Sequence, residues 1–471
     1  MRPEFDIVVI GGGAGGLVVA AGGAALGAKI ALVERDRLGG DCLWHGCVPS
    51  KALIASARIA HQMRHAGHWA IGGSLPEVDL PRVMERVREV IRGIEPHDSP
   101  ERFRGLGVDV VLGEGRFIDR DTFEAEGRKL RARHFVIATG SKPSIPALPG
   151  LDSTRWLTNE TLFDLREAVP HLLVLGAGPV GCEIAQAFRR LGSRVSLVDS
   201  AAGVLMREDR DLAAVIEARL RNEGVDLHLG RDVRRVSTHG GTIALELEGE
   251  PVNGTHLLLA TGRHAVTEGL GLDAAGVVVE KGRIRHQDLR TGNPRIWVIG
   301  DAAGGAQFTH LAEHHAGIVL RRTLFRMAWA RPSQVVPAAT YTDPELARVG
   351  VSEAEAIAQR LDHRVYRFAV AEIDRARTDG EQDGFAKLVT DRRGRLLGAG
   401  IVAAHAGELI AECALAINQR LGAGAISGSI HAYPTLSLLT RRAADQRAKE
   451  ALTPGKRRWL QRIFGLAGNR A

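Results

Sequence analysis

The chain has 471 residues, enough for roughly three domains at about 150 residues each. Its 45% apolar and 25% charged composition excludes a disordered chain, a collagen-like chain and a coiled coil. The net charge of +7 has an address: Arg441 to Ala471 holds nine basic residues against Asp445 and Glu450, so the rest of the chain sums to zero and is not a basic nucleic-acid-binding body.

Taken in chain order, the opening segment FDIVVIGGGAGGLVVAAGGAALGAKIALVERD comes first. Asp6–Ile10 is a short apolar run suited to a buried parallel strand. Gly11, Gly13 and Gly16 follow in the G-x-G-x-x-G spacing, then a small-residue helix over 17–26 and a second strand over 29–34 that ends in Glu34. Gly11 permits the tight turn, Gly13 lets the backbone approach a pyrophosphate, and Gly16 lets helix and sheet pack closely. The helix N-terminus faces the phosphate charge, and Glu34 can accept hydrogen bonds from a ribose. Ile7 to Ala28 is free of charge, but five glycines in its first half argue against a membrane span. Met1–Phe5 lacks the basic start of a secretory leader, so a cytoplasmic protein is expected.

The next informative segment, GGDCLWHGCVPSKALIASA, holds two of the four cysteines, Cys42 and Cys47, at the start of a helical stretch. A helix N-terminus favours thiolate. The spacing suits a small, reducible disulfide ring, with two unpaired buried cysteines as the alternative. No second Cys/His pair at ligand spacing accompanies them, so no metal site is expected. Cys182 and Cys413 read as small buried core residues.

The opening grammar returns in HLLVLGAGPVGCEIAQAFRRLGSRVSLVDS, with a strand at 172–175, Gly176, Gly178 and Gly181, a helix over 179–191, and a strand over 194–199 ending in Asp199. A carboxylate there bonds a free ribose 2′-hydroxyl and repels a 2′-phosphate, and no basic residue follows at Ser200–Ala202, so NAD is expected over NADP. Ala138-Thr139-Gly140 and Ala260-Thr261-Gly262 each close an apolar strand, which extends the internal repeat and implies two dinucleotides in one chain.

GGDCLWHGCVPSKAL resembles the active-site segment of the FAD-dependent pyridine nucleotide–disulfide oxidoreductases. RIWVIGDAAGG is similar to that family's second FAD motif, and YTDPELARVG to the opening of its dimerisation domain. The resemblance implies an α/β fold with two Rossmann-like dinucleotide-binding domains and a C-terminal α+β dimerisation domain. It sets FAD at 1–150 and 270–335, NAD at 151–269, the dimerisation domain at 336–452 and a basic extension at 453–471. Carried over, Cys42 is the interchange thiol and Cys47 the flavin-side thiol. Lys51 lies near the flavin and pairs with Glu183. Gly11, Gly13, Gly16, Glu34, Gly40, Lys51, Ala138, Thr139, Gly140 and Asp301 serve FAD. Gly176, Gly178, Gly181, Asp199 and Gly262 serve NAD.

One segment departs from the family. Its thiol-active members carry a His directly before a Pro, with a Glu four residues beyond that Pro, and the His acts as acid/base across a homodimer interface. Here SIHAYPTLSLL places Tyr433 and Leu438 at those positions, with His431 two residues upstream. A phenol near its ordinary pKa is a poor base at neutral pH. Either His431 reaches the sulfur, or Tyr433 donates to a substrate already ionised, or the substrate is not an ordinary dithiol. The leading expectation is an NAD-linked dithiol/disulfide oxidoreductase like dihydrolipoyl dehydrogenase, acting on a small or carrier-bound dithiol such as a lipoyl protein. The alternatives are reduction of a metal ion, quinone or low-pKa thiol, and a flavin-bound redox sensor with little turnover. Mercury reduction is disfavoured, because no cysteine follows Cys413 and no metal-binding extension precedes the first strand. In the tail, Trp459, Leu460, Ile463 and Phe464 recur at helical spacing among basic residues. The readings open for it are packing on its own dimer, docking an acidic carrier protein, or lying on a membrane surface.

Overall fold

The computed structural model describes residues 3–72 and 75–468, so the last three residues of the tail, Arg470 included, lie outside the described part. The described chain forms two compact units, Met1–Ala202 with Gly224–Ser333, and Gly203–Glu223 with Gln334–Ala471.

The first unit holds two parallel sheets of the expected α/β kind. In one, Phe5–Ile10 lies between Ile30–Glu34 and Arg128–Ile137, with Asp109–Leu112 and Ile296–Val298 beyond, all parallel. Ile7, Val8 and Val9 are wholly buried, as a parallel strand covered on both faces must be. Ile296–Val298 joins this sheet from far along the chain, so the first nucleotide fold is built from two separated segments. The second sheet runs Asp226–Leu229, Arg194–Asp199, His171–Leu175, His256–Leu259, again all parallel.

Each sheet feeds a helix through its glycine turn: Ala14–Ala25 after the first strand and Pro179–Arg190 after the second. The helix Cys47–Arg64 packs against Pro179–Arg190, bonded to it by Lys51 on Glu183 and by Arg64 on the carbonyl of Arg190. That contact carries the cysteine segment onto the second nucleotide fold.

The second unit is an antiparallel five-stranded sheet in the order Ala338–Thr340, Glu345–Gly350, Leu396–Ala403, Phe385–Asp391, His363–Ala369, with helices Ala406–Asn418 and Leu438–Ala451 packed on it. The helix Arg210–Asn222 belongs to this unit although it comes from the middle of the chain. Lys387, only 1% exposed, holds it there, with its ammonium on Asp209 (2.6 Å), Asp211 (2.7 Å) and Glu353 (3.0 Å). Burial alone would lower the Lys387 pKa, but these three carboxylates raise it, so the charge is kept. Burial would likewise raise Asp209, but bonds from Lys387 and from the amides of Ala354 and Glu353 bring it below its ordinary value.

Replacing Lys387 with Met leaves buried Asp209 without its cation. It is expected to cost about 3–5 kcal/mol, read as a lower urea midpoint. Because Asp209 is more acidic folded than unfolded, its contribution is complete above about pH 4 and fades as pH falls further. K387M should flatten that acid limb.

Candidate active site

The two dinucleotide turns are copies down to their hydrogen bonds. Glu34 accepts from the amide of Gly12 (2.6 Å) and of Asp36 (2.9 Å). Asp199 accepts from Ala177 (2.6 Å) and Ala201 (2.8 Å) at the same sequence offsets. Gly11 and Gly176 have φ of +107° and +113°, and a Cβ on either would strike the carbonyl of Ala138 or Ala260. A Cβ on Gly16 or Gly181 would collide with the carbonyl oxygen of Gly11 or Gly176, which is the close helix–strand approach expected of the third glycine. Gly13 and Gly178 are the N-caps of their helices, and neither helix has a side-chain cap, so the first-turn amides face an anion-accepting space.

Gly40 packs on Gly13, which brings the cysteine loop against the first turn. Asp301 is half-buried, and desolvation pushes its carboxyl up despite the hydroxyl of Ser141 donating to it at 2.6 Å. Arg263 gathers this neighbourhood. Its Nε donates to Ser141 Oγ (2.8 Å), and its two terminal nitrogens reach Asn159 (3.1 Å) and Asp41 (3.2 Å). Asp41 immediately precedes Cys42, and Asn159 also donates to it at 3.0 Å. Thr139 donates to the carbonyl of Val266 (2.8 Å), and Gly140 turns with φ +69°.

Cys42 sits in the short helix Gly40–Trp44, and Cys47 is the first residue of Cys47–Arg64. Both are free thiols, the dithiol counterpart of the disulfide expected from the resemblance, and they hydrogen-bond one another. Cys42 donates, which raises its own pKa strongly, with burial and the neighbouring sulfur's charge adding to the rise. The same bond lowers Cys47 to about 6 against the opposing effect of burial, assisted by the Thr309 hydroxyl at 3.7 Å and the charge of Lys51. Cys47 is therefore the thiolate of the pair at neutral pH. Lys51 and Glu183 form the expected ion pair at 2.8 Å, with Glu183 almost fully buried.

The remaining two candidates lie in the second unit. His431 is held at both ring nitrogens, Nδ1 against the carbonyl of Ser429 (3.0 Å) and Nε2 against Glu412 (3.0 Å), with its side chain 7% exposed. Glu412 also accepts from Thr440 (2.7 Å). Tyr433 is 72% exposed and donates to Asp374 at 3.1 Å, a bond that raises its pKa. Thr309, Arg263, Glu412 and Asp374 were not legible as site neighbours, because each reaches its partner from a distant stretch of chain. Cys182 and Cys413 are buried as expected.

Residues 5–316 match the pyridine nucleotide-disulphide oxidoreductase family, and residues 336–444 match its dimerisation domain. The chain belongs to this family. It is 34% identical over 445 residues to a dihydrolipoyl dehydrogenase of Chlamydia muridarum, covering 93% of this chain and 95% of that one. It is also 34% identical over 454 residues to a mercuric reductase of Streptomyces lividans, covering 94% and 96%. Among solved structures, the HOCl-induced flavoprotein disulfide reductase RclA of Escherichia coli, in a Cu(II) complex, superposes with a TM-score of 0.85 at 28% identity, covering 95% of this chain and all of that one. The protein is an FAD- and NAD(P)-dependent disulfide oxidoreductase, and its dimerisation domain supports a homodimer. No helix among the described residues is long and apolar enough to cross a membrane.

In the reduced protein, alkylation of the cysteine pair by iodoacetamide should rise with a midpoint near pH 6, where Cys47 ionises. Thr309→Val removes one donor to the thiolate and should raise the Cys47 midpoint by roughly 1 pH unit. Mass-spectrometric alkylation rates report this, and a midpoint equal to wild type would remove Thr309 from the account.

Proposed function

We propose that this enzyme runs from NADH towards a disulfide whose thiols are acidic enough to leave as thiolates. The observation that carries the reading is His431. Both of its ring nitrogens are engaged within its own unit, by the carbonyl of Ser429 and the carboxylate of Glu412, and its side chain is 7% exposed, so the ring is not turned out towards a substrate thiol. The side chain at the family's base position is Tyr433, and its bond to Asp374 makes it a weaker acid still, hence a hydrogen-bond donor rather than a base. Oxidation of an aliphatic dithiol needs a base to ionise the incoming thiol, whereas reduction of a disulfide with acidic thiols needs none.

FAD bound in the first nucleotide fold would supply the two-electron relay between NADH and the Cys42–Cys47 disulfide. The chain's own residues do the rest. The proton shared by the thiols moves onto Cys47, which frees Cys42 to attack one sulfur of the substrate disulfide. That S–S bond breaks, one thiolate leaves, and a mixed disulfide remains on Cys42. Cys47, giving up the proton to solvent, then attacks Cys42. The second thiolate departs and the Cys42–Cys47 disulfide is restored, with two electrons transferred to the substrate. Lys51, anchored by Glu183, sits beside Cys47, and the two uncapped helix N-termini with Glu34, Asp199 and Asp301 would hold the dinucleotides. Asp199, with no basic residue after it, supports NADH over NADPH.

Steady-state assays test this. At pH 7, NADH-dependent reduction of 5,5′-dithiobis(2-nitrobenzoate) should exceed NAD-dependent oxidation of dihydrolipoamide at least tenfold in kcat/KM, with NADPH a poorer donor. Tyr433→Phe should slow the former by less than threefold. Efficient dihydrolipoamide oxidation that His431→Ala abolishes would overturn the reading in favour of a His431 base.

A further inference from the structure

The sequence beyond residue 444 lies outside both family matches, yet it forms a capped helix, Pro454–Phe464. Thr453 caps its start by accepting the amide of Lys456, Pro454 occupies the first helical position, and Gly465 ends it in the left-handed conformation. Leu466 then folds back, its amide donating to the carbonyl of Gln461 at 3.1 Å. The helix carries its own start and stop signals and no buried residue.

Its surface is sharply divided. At about 100° per residue, Trp459, Leu460, Ile463 and Phe464 fall within an arc of about 140°. Trp459 is 60% exposed and Phe464 66%, and Ile463 and Leu466 are exposed beside them. Arg457, Arg458 and Arg462 flank or oppose that arc. Lys456, in the first turn, shares the arc's angle but sits at its N-terminal end, where its stem can run along the apolar face and keep the ammonium outward. From Thr453 to Gly468 there are four cations and no acid, in a protein whose other regions are charge-neutral up to Arg441.

We propose that this helix lies on an anionic lipid surface, with the Trp459–Phe464 face among the acyl chains and the arginines among the headgroups. The pattern of high amphipathicity, low overall hydrophobicity, a basic polar face and an aromatic-aliphatic opposite face is that of helices which rest in the interfacial plane. Charge complementarity selects an acidic headgroup over a zwitterionic one. The contiguous Trp, Leu, Ile and Phe select a lipid over duplex nucleic acid, where such a face would meet phosphate and water.

The holoenzyme should sediment with vesicles of phosphatidylcholine containing roughly 30 mol% phosphatidylglycerol at least tenfold more than with phosphatidylcholine alone. Chain truncated after Leu452, Ile463→Glu/Phe464→Glu and Arg457→Glu/Arg458→Glu should each lose at least tenfold of that binding. Their NADH–ferricyanide activity in solution, which does not pass through this helix, should match wild type and show that the fold is kept. Equal sedimentation with both vesicles, or binding untouched by Ile463→Glu/Phe464→Glu, would overturn the proposal. So would a change of oligomeric state in the truncated protein by sedimentation velocity, which would place a second copy on this face, or displacement from vesicles by a short DNA duplex.

Discussion

A single proton held between two sulfurs is the constraint on which the site turns. Because Cys42 donates to Cys47, the pair carries one negative charge near neutrality, and that charge must be met. Three structural features answer it: the start of the helix Cys47–Arg64, the Thr309 hydroxyl and the Lys51 ammonium. Lys51 needs a carboxylate in turn, and Glu183 supplies it from the helix of the second glycine turn. The packing of Cys47–Arg64 on Pro179–Arg190 brings the two side chains within reach of that bridge. Packing, helix polarity and thiol acidity are thus consequences of one another in this part of the fold.

Much of this was legible in the sequence because it is local or repeated. A glycine turn written twice, each with an acid 22 residues beyond the first amide it binds, reads as two nucleotide folds, and the structure repeats even the hydrogen bonds. The Lys51–Glu183 pair was legible through the family resemblance. What escaped was whatever depends on distant chain: Thr309 beside Cys47, Arg263 beside Asp41, Glu412 beneath His431. No periodicity announces Glu412, rather than Glu408 on the same helix Ala406–Asn418, as the partner of a His nineteen residues later. The placement of the helix Arg210–Asn222 escaped for the same reason, since nothing in its own residues names the sheet it packs on.

The substitution of Tyr433 and Leu438 for the family's His and Glu is not simply a loss. A His–Glu contact is present, but as His431–Glu412, turned inward and bonded at both ring nitrogens. It braces the segment that presents Tyr433, while the exposed side chain is a phenol. The imidazole is thus tied into its own unit, and the exposed hydroxyl beside it is tied to Asp374.

The Lys387 cluster also bears on how the polypeptide acquires its form during synthesis. Arg210–Asn222 leaves the ribosome long before Phe385–Asp391, whose lysine neutralises Asp209 and Asp211. Until that strand is translated, the helix and its acids have no place to settle, so the nascent chain carries an unfinished excursion across more than 150 residues of further elongation. Cutting out the middle third as an autonomous fragment would sever it from its anchor, because the junction that holds it joins stretches far apart in order of translation and adjacent only in space.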